Sequence, residues 1–140
     1  MRGMKTLSVV AIALGLAACA SGGGSPSEPA QRGREVKSID GSFSGEVVGE
    51  PAPGAKFAEL RIGMSSGQVQ EVMDRVPDRQ HTYESGKRWI PFYYGNDARR
   101  MQVLYRGEGC LIFTDGNIWG GAGGDLVQIE HDPSGACYQP

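Results

Sequence analysis

The feature that most limits what this chain can fold into is the run from Ser21 to Gly54, where glycine, serine, proline and charged residues crowd together without a 3.6-residue apolar repeat. Such a segment buries too little apolar surface to offset the entropy of ordering itself, and it reads as a spacer. The exception within it is Gly41 to Gly49, where Phe43, Val47 and Val48 offer material for a short strand or docking segment. The chain carries 22 glycines and 8 prolines in 140 residues, and its hydrophobic fraction of 39% is low for a packed globule. A single core must therefore come from what remains, and one folded domain is expected over residues 55–140.

The N-terminus has a separate task. Met1 to Lys5 is short and basic, and Leu7 to Leu16 (LSVVAIALGL) is an apolar run that suits a secretory signal and is too short to span a bilayer. The next residues, Leu16-Ala17-Ala18-Cys19, resemble the lipobox of bacterial lipoproteins. That resemblance implies a signal peptide over 1–18, cleavage before Cys19, lipid on the Cys19 thiol, and a lipidated linker over 19–54. Each buried methylene contributes roughly 0.8 kcal/mol, so several acyl chains on one residue hold a protein on a membrane without a transmembrane helix. Ala20 is not the aspartate that retains such lipoproteins at the inner membrane, which implies the outer membrane, with the domain facing the periplasm.

The clearest local signal is Met64 to Pro77. Ser65 and Gln68 have the spacing of a capping box, Val69, Val72, Met73 and Val76 recur on one helical face, and Pro77 lacks the N–H a continuing helix would use. Ala55 to Ile62 offers an earlier helical turn with Phe57, Leu60 and Ile62 for the core. Beyond Pro77 the period changes to two, and Arg88 to Tyr94, Arg100 to Arg106, Cys110 to Thr114 and Leu126 to His131 read as strands. Turn clusters at Gly95-Asn96-Asp97 and Gly107-Glu108-Gly109 imply antiparallel hairpins, and Pro91 moves the first strand toward an edge. The expected fold class is α+β, with two short helices packed on a small antiparallel sheet of three to four strands, preceded by a disordered tether.

Phe57-Ala58-Glu59-Leu60-Arg61-Ile62-Gly63-Met64-Ser65, then Gln68-Val69, a proline after the helix, an aromatic strand and apolar hairpins together resemble the SmpA/OmlA family. These are small lipoproteins related to the BamE subunit of the outer-membrane β-barrel assembly machine. The resemblance covers residues 57–131. It implies two helices on a three-stranded antiparallel sheet, and envelope proteins, the barrel-assembly machinery among them, as partners.

The chemistry is sparse. With Cys19 lipidated, Cys110 and Cys137 remain as an even pair in an exported chain, and a disulfide is the economical reading. A nucleophilic Cys110 served by His131 or His81 lacks any catalytic signature, so no enzyme is expected. His81 and His131 stand 50 residues apart without metal-ligand spacing, and the glycine-rich Asp115 to Gly124 lacks the ending of a P-loop, so no metal or cofactor is expected. Trp89, Tyr93, Tyr94 and Tyr105 read as sheet packing. Trp119, flanked by glycines, is either a contact for a protein or cell-wall partner or a core residue.

The formal charge of -2 argues against nucleic acid as a partner. Locally, basic residues outnumber acidic ones between Arg75 and Arg106, whereas Gly107 to Pro140 carries five carboxylates and no lysine or arginine. The basic stretch is either a solvated face or a surface that meets anionic lipid or a partner. Arg99, Arg100 and Trp119 are the candidate partner contacts.

Overall fold

Alternation of apolar and polar residues in the C-terminal half builds the centre of the fold. The computed structural model describes residues 33–116 and 123–140. Its strands are β1 (Arg34–Lys37), β2 (Ser44–Val48), β3 (Arg79–Glu84), β4 (Arg99–Tyr105), β5 (Gly109–Thr114) and β6 (Leu126–His131). One α-helix, α1 (Ser66–Met73), and two 3-10 turns at Lys56–Glu59 and Lys87–Trp89 accompany them. All six strands form one sheet in the order β1-β2-β6-β5-β4-β3. Every pairing is antiparallel except β2 with β6, which is parallel.

The expected two helices on three to four antiparallel strands are thereby corrected to a six-stranded mixed sheet with one helix. Two places account for the difference. Residues 34–48, read as spacer, form β1 and β2, because Val36, Phe43 and Val47 pack against the core of the remaining sheet. Their apolar groups are too few to order the segment alone; a preformed edge on β6 supplies the missing hydrogen bonds and contacts. Gly45 permits this docking, since a Cβ there would lie 2.3 Å from the Val127 carbonyl oxygen and 2.7 Å from Ile62.

The second correction concerns the first strand after the helix. Arg88 to Tyr94 is not a strand but a 3-10 turn followed by a loop, and the strand at this point is β3, whose RQHTYE sequence is polar on both sides. An edge strand needs only one neighbour, and β3 pairs with β4 from Arg79↔Leu104 to Glu84↔Arg99. The earlier helical turn, too, is a single 3-10 turn at Lys56–Glu59.

The helix starts where its cap places it. Ser65 Oγ accepts from Gln68 N at 3.2 Å, and the Gln68 side chain accepts from Ser65 N at 2.9 Å. It ends at Asp74, which takes a left-handed φ of 52°, three residues short of Pro77. Val69 and Met73 are buried, and Val72 packs beside them, but Val76 lies beyond the helix and is 75% exposed. The apolar stripe is thus three residues long rather than four. Together with Phe57, Leu60 and Ile62 it covers Val103, Tyr105, Leu111, Phe113, Leu126 and Ile129 on one face of the sheet. Burying each such side chain contributes roughly 1.5–3 kcal/mol.

Charged groups fasten this layer. The Glu108 carboxylate accepts from Lys56 N and Phe57 N, both at 3.1 Å, and Lys56 Nζ donates to the Met73 carbonyl at 2.9 Å. These bonds satisfy orphan groups at the start of the 3-10 turn and the end of α1.

On the opposite face the C-terminal residues fold back across the sheet. Cys137 is joined to Cys110 of β5 by a disulfide, with Cα atoms 6.0 Å apart. The buried Gln102 of β4 donates to the Cys137 carbonyl at 2.9 Å and accepts from Gln139 N at 3.2 Å. Tyr138 meets His81 edge to face at 5.0 Å. The tail therefore covers the β3–β5 part of this face and leaves the rest open.

Candidate functional site

Where the tail stops, the uncovered face becomes the floor of a cleft of about 600 Å³. Arg100 of β4, Thr114 of β5, Gln128 of β6 and Glu46 of β2 line it. The loop after β3 forms one wall with Lys87, Tyr93 and Asp97, and Asp40 and Ser42 from the β1–β2 turn form part of the rim. The strand alternation places these floor residues together, since Arg100 stands opposite Thr114 and Glu46 opposite Gln128 in neighbouring pairings.

Asp97 is the hub of the wall. Its carboxylate accepts from Lys87 Nζ and from the Tyr93 hydroxyl, and the Arg100 guanidinium lies 3.6 Å away. Ser85 Oγ donates to the Asp97 carbonyl at 2.6 Å, which ties the two ends of the loop together. Arg100 Nε is buried and has no hydrogen-bond partner among the described residues. A donor left so is costly unless something accepts from it.

The rim is acidic by construction. Asp40 accepts from Ser38 Oγ at 2.6 Å, Ser42 Oγ at 2.8 Å and Ser42 N at 3.0 Å, and these bonds, Ser38 first, hold its carboxyl down to about 2. On the far part of the face, burial raises the Glu130 carboxyl, the Gln128 hydrogen bond opposes that, and the Glu46 and Asp132 charges add to it. Burial likewise lowers the His131 imidazole, on the helix-covered face where its ring lies 6.0 Å from Phe57.

Above the cleft wall the loop carries a second surface. Trp89, Ile90, Phe92 and Tyr94 are 82%, 52%, 88% and 69% exposed. The reading of Trp89 and Tyr94 as sheet packing is corrected here: Pro91 and the turn break the strand, so the aromatic groups leave the sheet. Pro91 between Gly86 and Gly95 was the available signal, since glycines and proline at that spacing suit a loop better than a strand.

Of the sequence-predicted site residues, Cys110 and Cys137 are brought together. The Cys110 thiol is thereby committed to the cross-link and is not free as a nucleophile. Arg99 and Arg100 are separated, because successive strand residues point to opposite faces: Arg100 lines the cleft, whereas Arg99 pairs with Asp115 at 3.3 Å. Cys19 and Trp119 lie outside the described residues. Much of the basic stretch is paired within the chain, as Arg75 with Asp78, Arg88 with Glu84 and Lys87 with Asp97. Among the described residues no group of three or more His, Cys, Asp or Glu is placed to hold a metal, and no helix is long and apolar enough to cross a membrane.

No family model, curated protein or solved structure matches this chain.

Proposed function

We propose that this chain is a lipoprotein anchored on the outer membrane through Cys19, with a non-enzymatic domain that binds other envelope proteins in outer-membrane assembly or maintenance. The signal-like run, the Leu16-Ala17-Ala18-Cys19 sequence and Ala20 support the anchor. The resemblance of the Phe57–Ser65 and Gln68-Val69 sequence to the SmpA/OmlA family supports the type of partner, the barrel-assembly machinery among the candidates; the six-stranded sheet lends that resemblance nothing. The observation that carries the binding role is the cleft, whose floor brings Glu46, Arg100, Thr114 and Gln128 together from four strands. A carboxylate of a partner segment would pair with the part of the Arg100 side chain left exposed in the cleft.

Two experiments test this reading. Labelled fatty acid should be incorporated by the wild type and not by Cys19→Ala; incorporation into the variant rejects the anchor. Detergent-solubilised envelopes should yield barrel-assembly subunits with the wild type and several-fold less with Arg100→Ala. Equal recovery with both rejects the cleft as the contact, and no recovery with either rejects the partner class.

A second reading is favoured by one observation, the cleft volume, which lies in the range of small-molecule sites. In it the domain is a stand-alone ligand-binding or inhibitor module. Native mass spectrometry of the purified chain discriminates, since a retained small molecule lost in Arg100→Ala supports this reading over the first.

A further inference from the structure

The loop above the cleft is built as a fixed root with a projecting tip. At the root, Asp97 holds Lys87 and Tyr93, and Ser85 Oγ bonds the carbonyls of Asp97 and Ala98 at 2.6 and 3.1 Å. At the tip, Ile90 N donates to the Lys87 carbonyl at 3.1 Å and Tyr93 N to the Ile90 carbonyl at 3.3 Å, so the backbone bonds to itself rather than to the sheet. Phe92 takes a left-handed φ of 60°, a conformation that disfavours any residue with a Cβ. Phe92 is 88% exposed and Trp89 82% exposed, so the protein itself gains almost nothing from burying them.

The geometry points to this loop as a membrane-contacting element, with Trp89, Ile90, Phe92 and Tyr94 entering the headgroup–acyl boundary of an anionic bilayer and Arg88 and Arg99, each half exposed within its ion pair, facing its headgroups. Three observations favour lipid as the occupant. First, tryptophan and tyrosine combine an apolar ring with a polar tip and suit the membrane–water boundary, and a bilayer accepts a projecting set of side chains without needing a matched pocket.

Second, the charge is complementary. Lys87, Arg88, Arg99 and Arg100 are ion-paired with Glu84, Asp97 and Asp115 and outnumber them by one, while the chain as a whole is at -2 and the charged residues after Arg106 are all carboxylates. An anionic surface would attract the loop and repel the acidic remainder, which turns the domain loop-first.

Third, the length permits it. Fully extended, the chain from Cys19 to Arg34 spans at most about 50 Å. The sheet from β1 to β3 is about 24 Å wide at the usual strand spacing. The loop can therefore reach the same leaflet that holds the anchor. As a second attachment beside the acyl chains the proposal rests on the lipoprotein reading, yet the loop can be tested separately.

The test uses the full chain with Trp119→Phe, which leaves Trp89 as the sole tryptophan of the two. The protein is mixed with phosphatidylcholine vesicles, with or without phosphatidylglycerol, carrying bromine on the acyl chains. On vesicles with phosphatidylglycerol, Trp89 emission should shift to shorter wavelength, be quenched by the brominated lipid, and become several-fold less sensitive to iodide in the water. Salt should reverse part of this, and Phe92→Ser, a change at an exposed side chain that the fold does not need, should reduce it several-fold.

If Trp89 stays as open to iodide with vesicles as without, and bromine leaves it unquenched, the proposal is overturned and the loop is assigned to a protein partner. That result together with normal acyl labelling of Cys19 would leave the anchor standing. Quenching by lipid without acyl labelling would instead leave the loop standing and the anchor rejected.

Discussion

Two sets of aromatic residues in this molecule have opposite fates. Phe57 and Tyr105 meet edge to face at 5.9 Å and are 1% and 2% exposed, whereas Trp89 and Phe92 are 82% and 88% exposed. The residue types are similar, so ring chemistry does not decide between core and surface. What the backbone is tied to does: the 3-10 turn carrying Phe57 is held by Glu108 from the β4–β5 turn over the face where Tyr105 lies, whereas the 3-10 turn carrying Trp89 hydrogen-bonds its backbone only within its own loop. The first set contributes to folding, and the second is free to contribute to binding.

The sharpest way to break this comparison is to remove one ring from each set. Phe57→Ala should cost about 3–5 kcal/mol through the cavity and lost contacts, while Phe92→Ala should stay within about 0.5 kcal/mol. Chemical denaturation reads both, and similar losses would mean that the loop packs on the domain. Val69→Asp should be comparably damaging, because it places a carboxylate in the buried face of α1, while Gln70→Asp on the exposed side should do little.

Next in size is the tie that holds the tail over the sheet. Removing both cysteines with Cys110→Ser and Cys137→Ser opens a loop with a sequence separation of 27 residues. The chain-entropy relation puts the loss at about 3.5 kcal/mol. Amide exchange should rise at Tyr138 and Gln139 far more than in β4. Alkylation before and after reduction checks the bond itself, and two free thiols before reduction would reject it.

The helix cap should matter less. Ser65→Ala removes the acceptor for Gln68 N and half of the capping box, at a cost of about 1 kcal/mol. An unchanged melting temperature would mean that tertiary contacts alone set the start of α1.

The smallest effect is one of pH. Glu130 has a carboxyl raised above its ordinary 4.5, chiefly by burial, so the folded state favours the protonated form. That contribution is fully present below 4.5 and is lost as the pH rises through the raised folded value. Glu130→Gln should therefore raise the melting temperature at neutral pH and leave it nearly unchanged near about pH 3. A fall at neutral pH would show that the carboxylate is stabilised where it sits.

How far the sequence can be read depends on how local the deciding interaction is. The Ser65 and Gln68 pair caps its own helix within three residues, and the start of α1 was legible from it. Strands β4, β5 and β6 were legible because their alternation is strong and short turns join β4 to β5. The pairing of Cys110 with Cys137 followed from counting cysteines in an exported chain. In contrast, β1 and β2 were hidden because Val36, Phe43 and Val47 gain their apolar neighbours from strands far along the chain. The polar β3 was hidden because an edge strand of this kind is held by pairing with β4 more than by burial. The cleft could not be read at all, since Glu46, Arg100, Thr114 and Gln128 meet only when four strands align.

The sequence by itself therefore determined the helix cap, the central hairpin, the cysteine pair and the separation of basic from acidic segments, because each depends on spacing or composition along the chain. Only the tertiary structure decided that a glycine-rich segment would join the sheet, that one of two adjacent arginines would enter a cleft, and that an aromatic run would project from the domain. Those outcomes turn on which face a strand presents and which neighbour satisfies its backbone, and both are fixed by pairing between residues distant in sequence.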